Sequence, residues 1–131
     1  MASTSALGLL LASSAGCSYL ARDTDRYRAD TSALLDTRTA ELQACYNQEL
    51  RRNRDVIGTL TVTFTVEKET GKLTQLEWDR NRSTVSETLA TCAITALAGL
   101  SLDEPDQRDG EATFKFSFRG GVMGAAPSTS N

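Results

Sequence analysis

Thr59-Leu60-Thr61-Val62-Thr63-Phe64-Thr65-Val66 alternates strictly between threonine and a large apolar residue. Successive side chains of a strand point to opposite faces. The pattern therefore predicts a strand with one buried face (Leu60, Val62, Phe64, Val66) and a threonine row facing water. Such a strand needs partners beside it and a layer over its apolar face. Two other segments fit as neighbours. Leu73–Asp79 returns after the polar, glycine-containing Glu67–Lys72, which suits a hairpin loop, and it carries Leu76 and Trp78 on one face. Ala112–Phe118 sets Phe114, Phe116 and Phe118 on one face.

Two helical patterns supply the cover. One starts near Thr31, and Leu42, Cys45, Tyr46 and Leu50 share one of its faces. Arg51, Arg52 and Arg54 stand at its end, where cations suit the helix dipole, and Gly58 marks the boundary. The other opens with Thr84-x-x-Glu87, the form of a capping box, and carries the stripe Val85, Leu89, Cys92, Ala93, Ala96, Leu97, Leu100. The order helix-strand-strand-helix-strand predicts an α+β two-layer sandwich. Two helices cover one face of a three-stranded sheet, with the first strand central and the other two flanking it as edges. The folded part is read over residues 31–120, with a polar tether over 17–30 and a disordered tail over 121–131 rich in Gly, Ala, Ser, Thr and Pro.

The cysteines number three, an odd count that leaves one without a partner. Ala6–Ala12 is a short apolar run, and Ser13-Ser14-Ala15-Gly16-Cys17 follows it. This reads as a bacterial lipoprotein signal over residues 1–16, with Cys17 the acylated residue; ordinary secretion is the alternative. Ser18 rather than Asp after that cysteine points to the outer membrane, facing the periplasm. No run of 18 or more apolar residues is present to form a spanning helix. Cys45 and Cys92 both lie on apolar helix faces. If the helices pack side by side their sulfurs meet, and a disulfide closing that loop contributes roughly 3–4 kcal/mol. Two buried free thiols are the other possibility, and no C-x-x-C suggests a catalytic dithiol.

Histidine is absent, which removes Ser-His and Cys-His catalytic pairs and the commonest zinc ligand. With 14 basic and 17 acidic residues in mixed order, the chain shows no basic stripe for nucleic acid. Asp103, Glu104 and Asp106, and Asp79-x-Asn81-x-Ser83, lack the glycine and distal glutamate of a calcium loop. The expectation is a protein without enzymatic activity, cofactor or metal. Four surfaces could still meet a partner. They are the arginines Arg51, Arg52 and Arg54; the threonine row; Tyr46 with Trp78; and the edges of the sheet, where Leu73, Gln75, Thr113, Lys115 and Ser117 are the candidate residues.

Several of these residues recur together in a known pattern: Cys45-Tyr46-x-x-x-Leu50-Arg51-Arg52-Asn53, Gly58–Val66, Gly71-Lys72-Leu73, Leu89-Ala90-Thr91-Cys92 and Phe114-x-Phe116-x-Phe118. Over residues 38–120 the chain resembles the AgmX/PglI C-terminal domain, a TonB-C-like module. The resemblance implies the TonB C-terminal fold and a protein partner in the cell envelope, added as a strand at a sheet edge. It departs from TonB-type transducers in having no apolar spanning run and only two prolines, so energy coupling is not implied. Leu100–Pro105 stands where the family carries an aromatic segment. A structural subunit of a motility or secretion assembly, and a peptidoglycan-associated module, are the alternative functions.

Overall fold

The computed structural model of the chain describes residues 21–127. The signal peptide read over residues 1–16, Cys17, and residues 128–131 lie outside them. The described residues form three helices, α1 (Thr24–Asp36), α2 (Thr39–Arg52) and α3 (Glu87–Leu97). They also form four strands, β1 (Gly58–Val66), β2 (Leu73–Trp78), β3 (Gly110–Arg119) and β4 (Val122–Pro127). The fold is α+β, with the sheet in the order β2-β1-β3-β4 and every neighbouring pair antiparallel.

The alternation of β1 sets the core. Leu60 pairs with Phe116 and Val62 with Phe114, so the apolar residues of both strands share one face. That face is buried, and the buried apolar residues of all three helices join the same cluster: Leu35, Leu42, Cys45, Tyr46, Leu89, Ala90, Ala93 and Leu97. The Tyr46 ring tilts against Phe118 at 5.1 Å between centroids. Its hydroxyl donates to the Val56 carbonyl at 2.9 Å, which satisfies the one polar atom of a fully buried ring.

Three boundaries differ from the sequence expectation. The sheet has four strands, because Gly120 and Gly121, at φ 61° and 80°, make a tight turn that sends the chain back along β3. Two successive left-handed residues are what a two-residue hairpin needs, and glycine takes them without strain. Residues 122–127 are therefore strand rather than tail. The layer has three helices, because α1 begins at Thr24, inside the expected tether. The helical pattern read from Thr31 is two helices, broken at Thr37 and Arg38, where the Thr37 hydroxyl donates to the Leu34 carbonyl and closes the first. Finally, Ser86 and not Thr84 caps α3, accepting from the Leu89 N–H at 3.1 Å. Thr84 is still extended there, held by its own N–H to the Thr59 carbonyl at 2.8 Å.

Cys45 and Cys92 are joined as a disulfide between α2 and α3, with their Cα atoms 5.8 Å apart. It closes a loop that contains β1 and β2, so the unfolded chain loses the freedom of that whole loop.

The second tie is Arg22. Its side chain is only 3% exposed. The guanidinium donates to Asp30 Oδ2 at 2.7 Å and to the carbonyls of Glu104 and Asp103 at 2.8 and 2.9 Å. Its backbone N–H donates to Asp106 Oδ2 at 2.9 Å. The arginine thus locks the start of α1 onto the loop before β3. Hydrogen bonding from Arg22 holds the Asp30 carboxyl below its usual 3.8. Burial pushes the Asp106 carboxyl upward, but the N–H groups of Arg22, Arg108 and Gln107 and the arginine charge outweigh it, and its pKa is also lowered from 3.8.

Replacing Cys45 and Cys92 together by Ala should lower the unfolding free energy by about 4 kcal/mol, the loop-closure value for a span of this length. Urea denaturation of the oxidised protein and the double variant measures this. Both aspartates have folded pKa values below the unfolded one. Their contribution is therefore complete above the unfolded value and is lost as pH falls through the folded values. The urea midpoint should hold at neutral pH and drop below about pH 4. Arg22→Ala should cost about 2 kcal/mol at neutral pH and flatten that acid drop.

Candidate functional site

A sheet ends in two edges, and here they are unlike. The expected edge residues divide accordingly. Leu73 and Gln75 lie on β2, at one edge. Thr113, Lys115 and Ser117 lie on β3, which is interior: they pair with Thr63, Thr61 and Thr59 on one side, and Lys115 and Ser117 with Ala126 and Gly124 on the other. The expectation that Thr113, Lys115 and Ser117 mark an edge is corrected, because β4 occupies that edge. Their side chains instead stand on the polar face with the threonine row.

The β2 edge is guarded. The Leu73 N–H donates to the Leu100 carbonyl at 3.0 Å, and Lys72 bridges to Ser101. The Leu102 N–H donates to the Gly71 carbonyl at 2.7 Å, and a Cβ on Gly71 would meet the Leu102 oxygen at 2.1 Å. Only glycine allows that approach. Farther along, the ladder to β1 slips between Thr63 and Thr65, and Gln75 takes φ 52°. A short pairing segment and a bulge are the usual devices that stop an edge from accepting another strand.

The remaining gap on that flank of β1 is also closed. The Thr59 N–H donates to Thr84 Oγ1 and the Thr61 N–H to Ser83 Oγ, so side chains replace a strand where β2 has ended. The Thr61 hydroxyl donates to the Arg82 carbonyl, and Thr61 is buried. The threonine row is therefore not the continuous open surface that its sequence suggests.

β4 is open. Gly124, Ala125 and Ala126 are exposed and small. The Met123 N–H donates outward, to Gln43 Oε1 at 3.1 Å, rather than to β3. By the alternation of an antiparallel ladder, Gly124 and Ala126 bond to β3, while Ala125 directs its N–H and carbonyl away from the sheet. The same Gln43 donates through Nε2 to the Gly121 carbonyl at 2.9 Å. One glutamine on α2 thereby holds the first turn of the edge strand at both of its backbone groups. Ala125 thus presents an unpaired N–H and carbonyl within a small-residue stretch, Gly124 to Ala126, while the outward Met123 N–H is taken by the helix layer.

A cleft of about 330 Å³ on the opposite flank runs between β2 and α3, lined by Leu76, Trp78, Arg80, Thr91, Ile94 and Thr95. The Arg80 guanidinium lies 4.3 Å above the Trp78 ring and pairs with Glu87, so the ring's face is taken. Tyr46, the other aromatic candidate, is in the core. Among the described residues no group of three or more His, Cys, Asp and Glu is placed to hold a metal ion, and no helix is long and apolar enough to cross a membrane. The residues that sequence reasoning passed over are Gln43 and Val122–Pro127. The Gly120-Gly121 pair was the one signal of a returning strand.

Comparison with protein-family models, with curated proteins and with solved structures returned no match. Gln43→Leu keeps the helix and the bulk but removes both bonds to the turn. It should speed exchange of the Gly124 and Ala126 amides about tenfold, since two net hydrogen bonds are lost, while the amides of β1 keep their protection. Hydrogen–deuterium exchange read by NMR decides this.

Proposed function

We propose that this domain is a non-enzymatic module of the bacterial cell envelope, and that it binds a protein partner by adding an extended segment of it to the outer edge of β4. The observation that carries the reading is the outward-facing backbone of Ala125 in an exposed strand of small residues. Main-chain hydrogen bonds along such an edge supply affinity without requiring a pocket. The contrast with β2, whose edge is blocked by Leu100–Leu102 and a bulge, supports the choice of edge. The resemblance to the AgmX/PglI C-terminal domain and its TonB-C-like fold points the same way.

In this reading Cys17 is lipidated and the protein is held at the outer membrane, facing the periplasm. Arg22 is docked on the folded domain, and only five residue steps separate it from Cys17. A chain of that length spans at most about 18 Å. The domain then works close to the bilayer, with no long reach across the periplasm, which suits capture of a partner at the membrane and not transmission of force from elsewhere.

A photo-crosslinking residue placed at Ala125 in the full chain, irradiated in intact cells, should capture a discrete protein. The same residue at Glu87 on α3 should not. Ala125→Pro, with the crosslinker moved to Gly124, should abolish capture, because proline removes the outward donor. Capture from Glu87 equal to that from Ala125, or capture that survives Ala125→Pro, contradicts the reading. Mass spectrometry of the mature N-terminus should find an acylated Cys17; a start at any other residue contradicts the anchor.

A further inference from the structure

Four arginines stand toward the end of the sheet where Gly58 pairs with Phe118, opposite the Val66–Gly110 end against which Tyr27 of α1 packs. Arg51 and Arg52 close α2, Arg54 follows, and Arg119 ends β3 beside the Gly120-Gly121 turn. All four are exposed. None takes part in the ion pairs formed among the described residues, which use Arg22, Arg26, Arg38, Arg80 and Arg82. The same end carries Ile57 and Val122, the exposed large apolar side chains among the described residues, at 62% and 68% exposure. Ile57 lines a cleft of about 520 Å³ with Tyr46, Leu50, Val56, the Gly120-Gly121 turn and one charge of each sign, Arg54 and Asp55. The helix dipole accounts for Arg51 and Arg52. It accounts for neither Arg54 and Arg119 nor the two exposed aliphatics. A single exposed aliphatic needs no explanation, whereas one set in a mainly apolar cleft at an end of the sheet where four arginines face a single lining carboxylate, Asp55, does.

We propose that this end is a second protein-binding surface, separate from β4, which docks an acidic segment carrying one large apolar side chain. The apolar side chain enters the cleft against Leu50, Val56 and Ile57, and flanking carboxylates meet Arg51, Arg52, Arg54 and Arg119. Charge sets the partner and speeds encounter, while the apolar contact holds it. A bilayer fits this end less well, because a flat surface cannot fill a recess between a helix end and a turn. A second copy of the chain fits less well too. Among the described residues its acidic end, around Asp103, Glu104, Asp109 and Glu111, offers no exposed large apolar residue to enter the cleft.

The test is fluorescence anisotropy of the purified, oxidised domain with a labelled peptide, Glu-Asp-Glu-Trp-Glu-Asp-Glu. One control peptide replaces Trp by Gly; the other replaces the acids by their amides. The parent peptide should bind about tenfold tighter than either control. Combined Arg51→Glu, Arg52→Glu and Arg54→Glu should weaken it by more than tenfold, and Ile57→Asp by about tenfold, with unchanged urea midpoints showing intact folding. High salt should erase the difference between the parent and the amide control but not that between the parent and the glycine control. Ala125→Pro should leave this binding unchanged, which separates the surface from the β4 edge. Equal binding of the three peptides, or no binding, overturns the proposal. So does retention on phosphatidylglycerol vesicles without peptide binding, or arginine-dependent self-association in sedimentation without it.

Discussion

Burial of one face of β1 and β3 dictates the positions of the remaining elements. Leu60, Val62, Phe64 and Val66 meet Phe114, Phe116 and Phe118 on a single surface, and that surface must be kept from water. Two helices cover its middle and are cross-linked by Cys45 and Cys92. A third, α1, adds Leu35 to the same cluster and is drawn down by Arg22. In a domain with so few residues the hydrophobic term leaves a narrow margin over chain entropy, so covalent and ionic ties of this kind weigh heavily. The polar face needs no such cover, and the chain uses it locally, tucking Thr61 beneath the 3₁₀ turn Arg80–Arg82.

How much of this was legible depended on the strength of local pattern. Strict alternation placed β1, the hairpin and β3, and the central position of β1 followed from connectivity. The cysteines could be placed on facing helices, because both sit within apolar stripes. The misses share a cause. Arg22 and Asp30 read as polar tether residues, since nothing in the sequence shows that Arg22 meets Asp106 and the carbonyls of Asp103 and Glu104 more than 80 positions away while donating to Asp30 on the next helix. Val122–Pro127 holds Gly, Ala and Pro, poor strand formers that pair only because β3 stands ready beside them. The error at Thr113, Lys115 and Ser117 descends from that one, because a strand is an edge only until another is found beyond it. The cap of α3 was misplaced by two residues because Thr84 is held in the sheet's own hydrogen bonding.

The two edges give the domain its polarity. β2 is closed by Leu100–Leu102 and its ladder slips near Gln75; β4 leaves the backbone groups of Ala125 free and is held at its first turn by Gln43. An exposed edge invites aggregation unless it is blocked or used, and the chain blocks one and leaves the other free. In the proposed reading, the small side chains of Gly124, Ala125 and Ala126 leave room for a partner of varied sequence, and Pro127 limits how far an added strand could extend.

The central claim is that β4 is occupied when the protein is at work. Hydrogen–deuterium exchange read by mass spectrometry compares the purified domain with the same domain in native envelope preparations. The account predicts that peptides spanning residues 122–127 gain protection in the envelope and that those spanning Leu73–Trp78 do not. Unchanged exchange over 122–127, or protection confined to β2 and its cleft with α3, would contradict it.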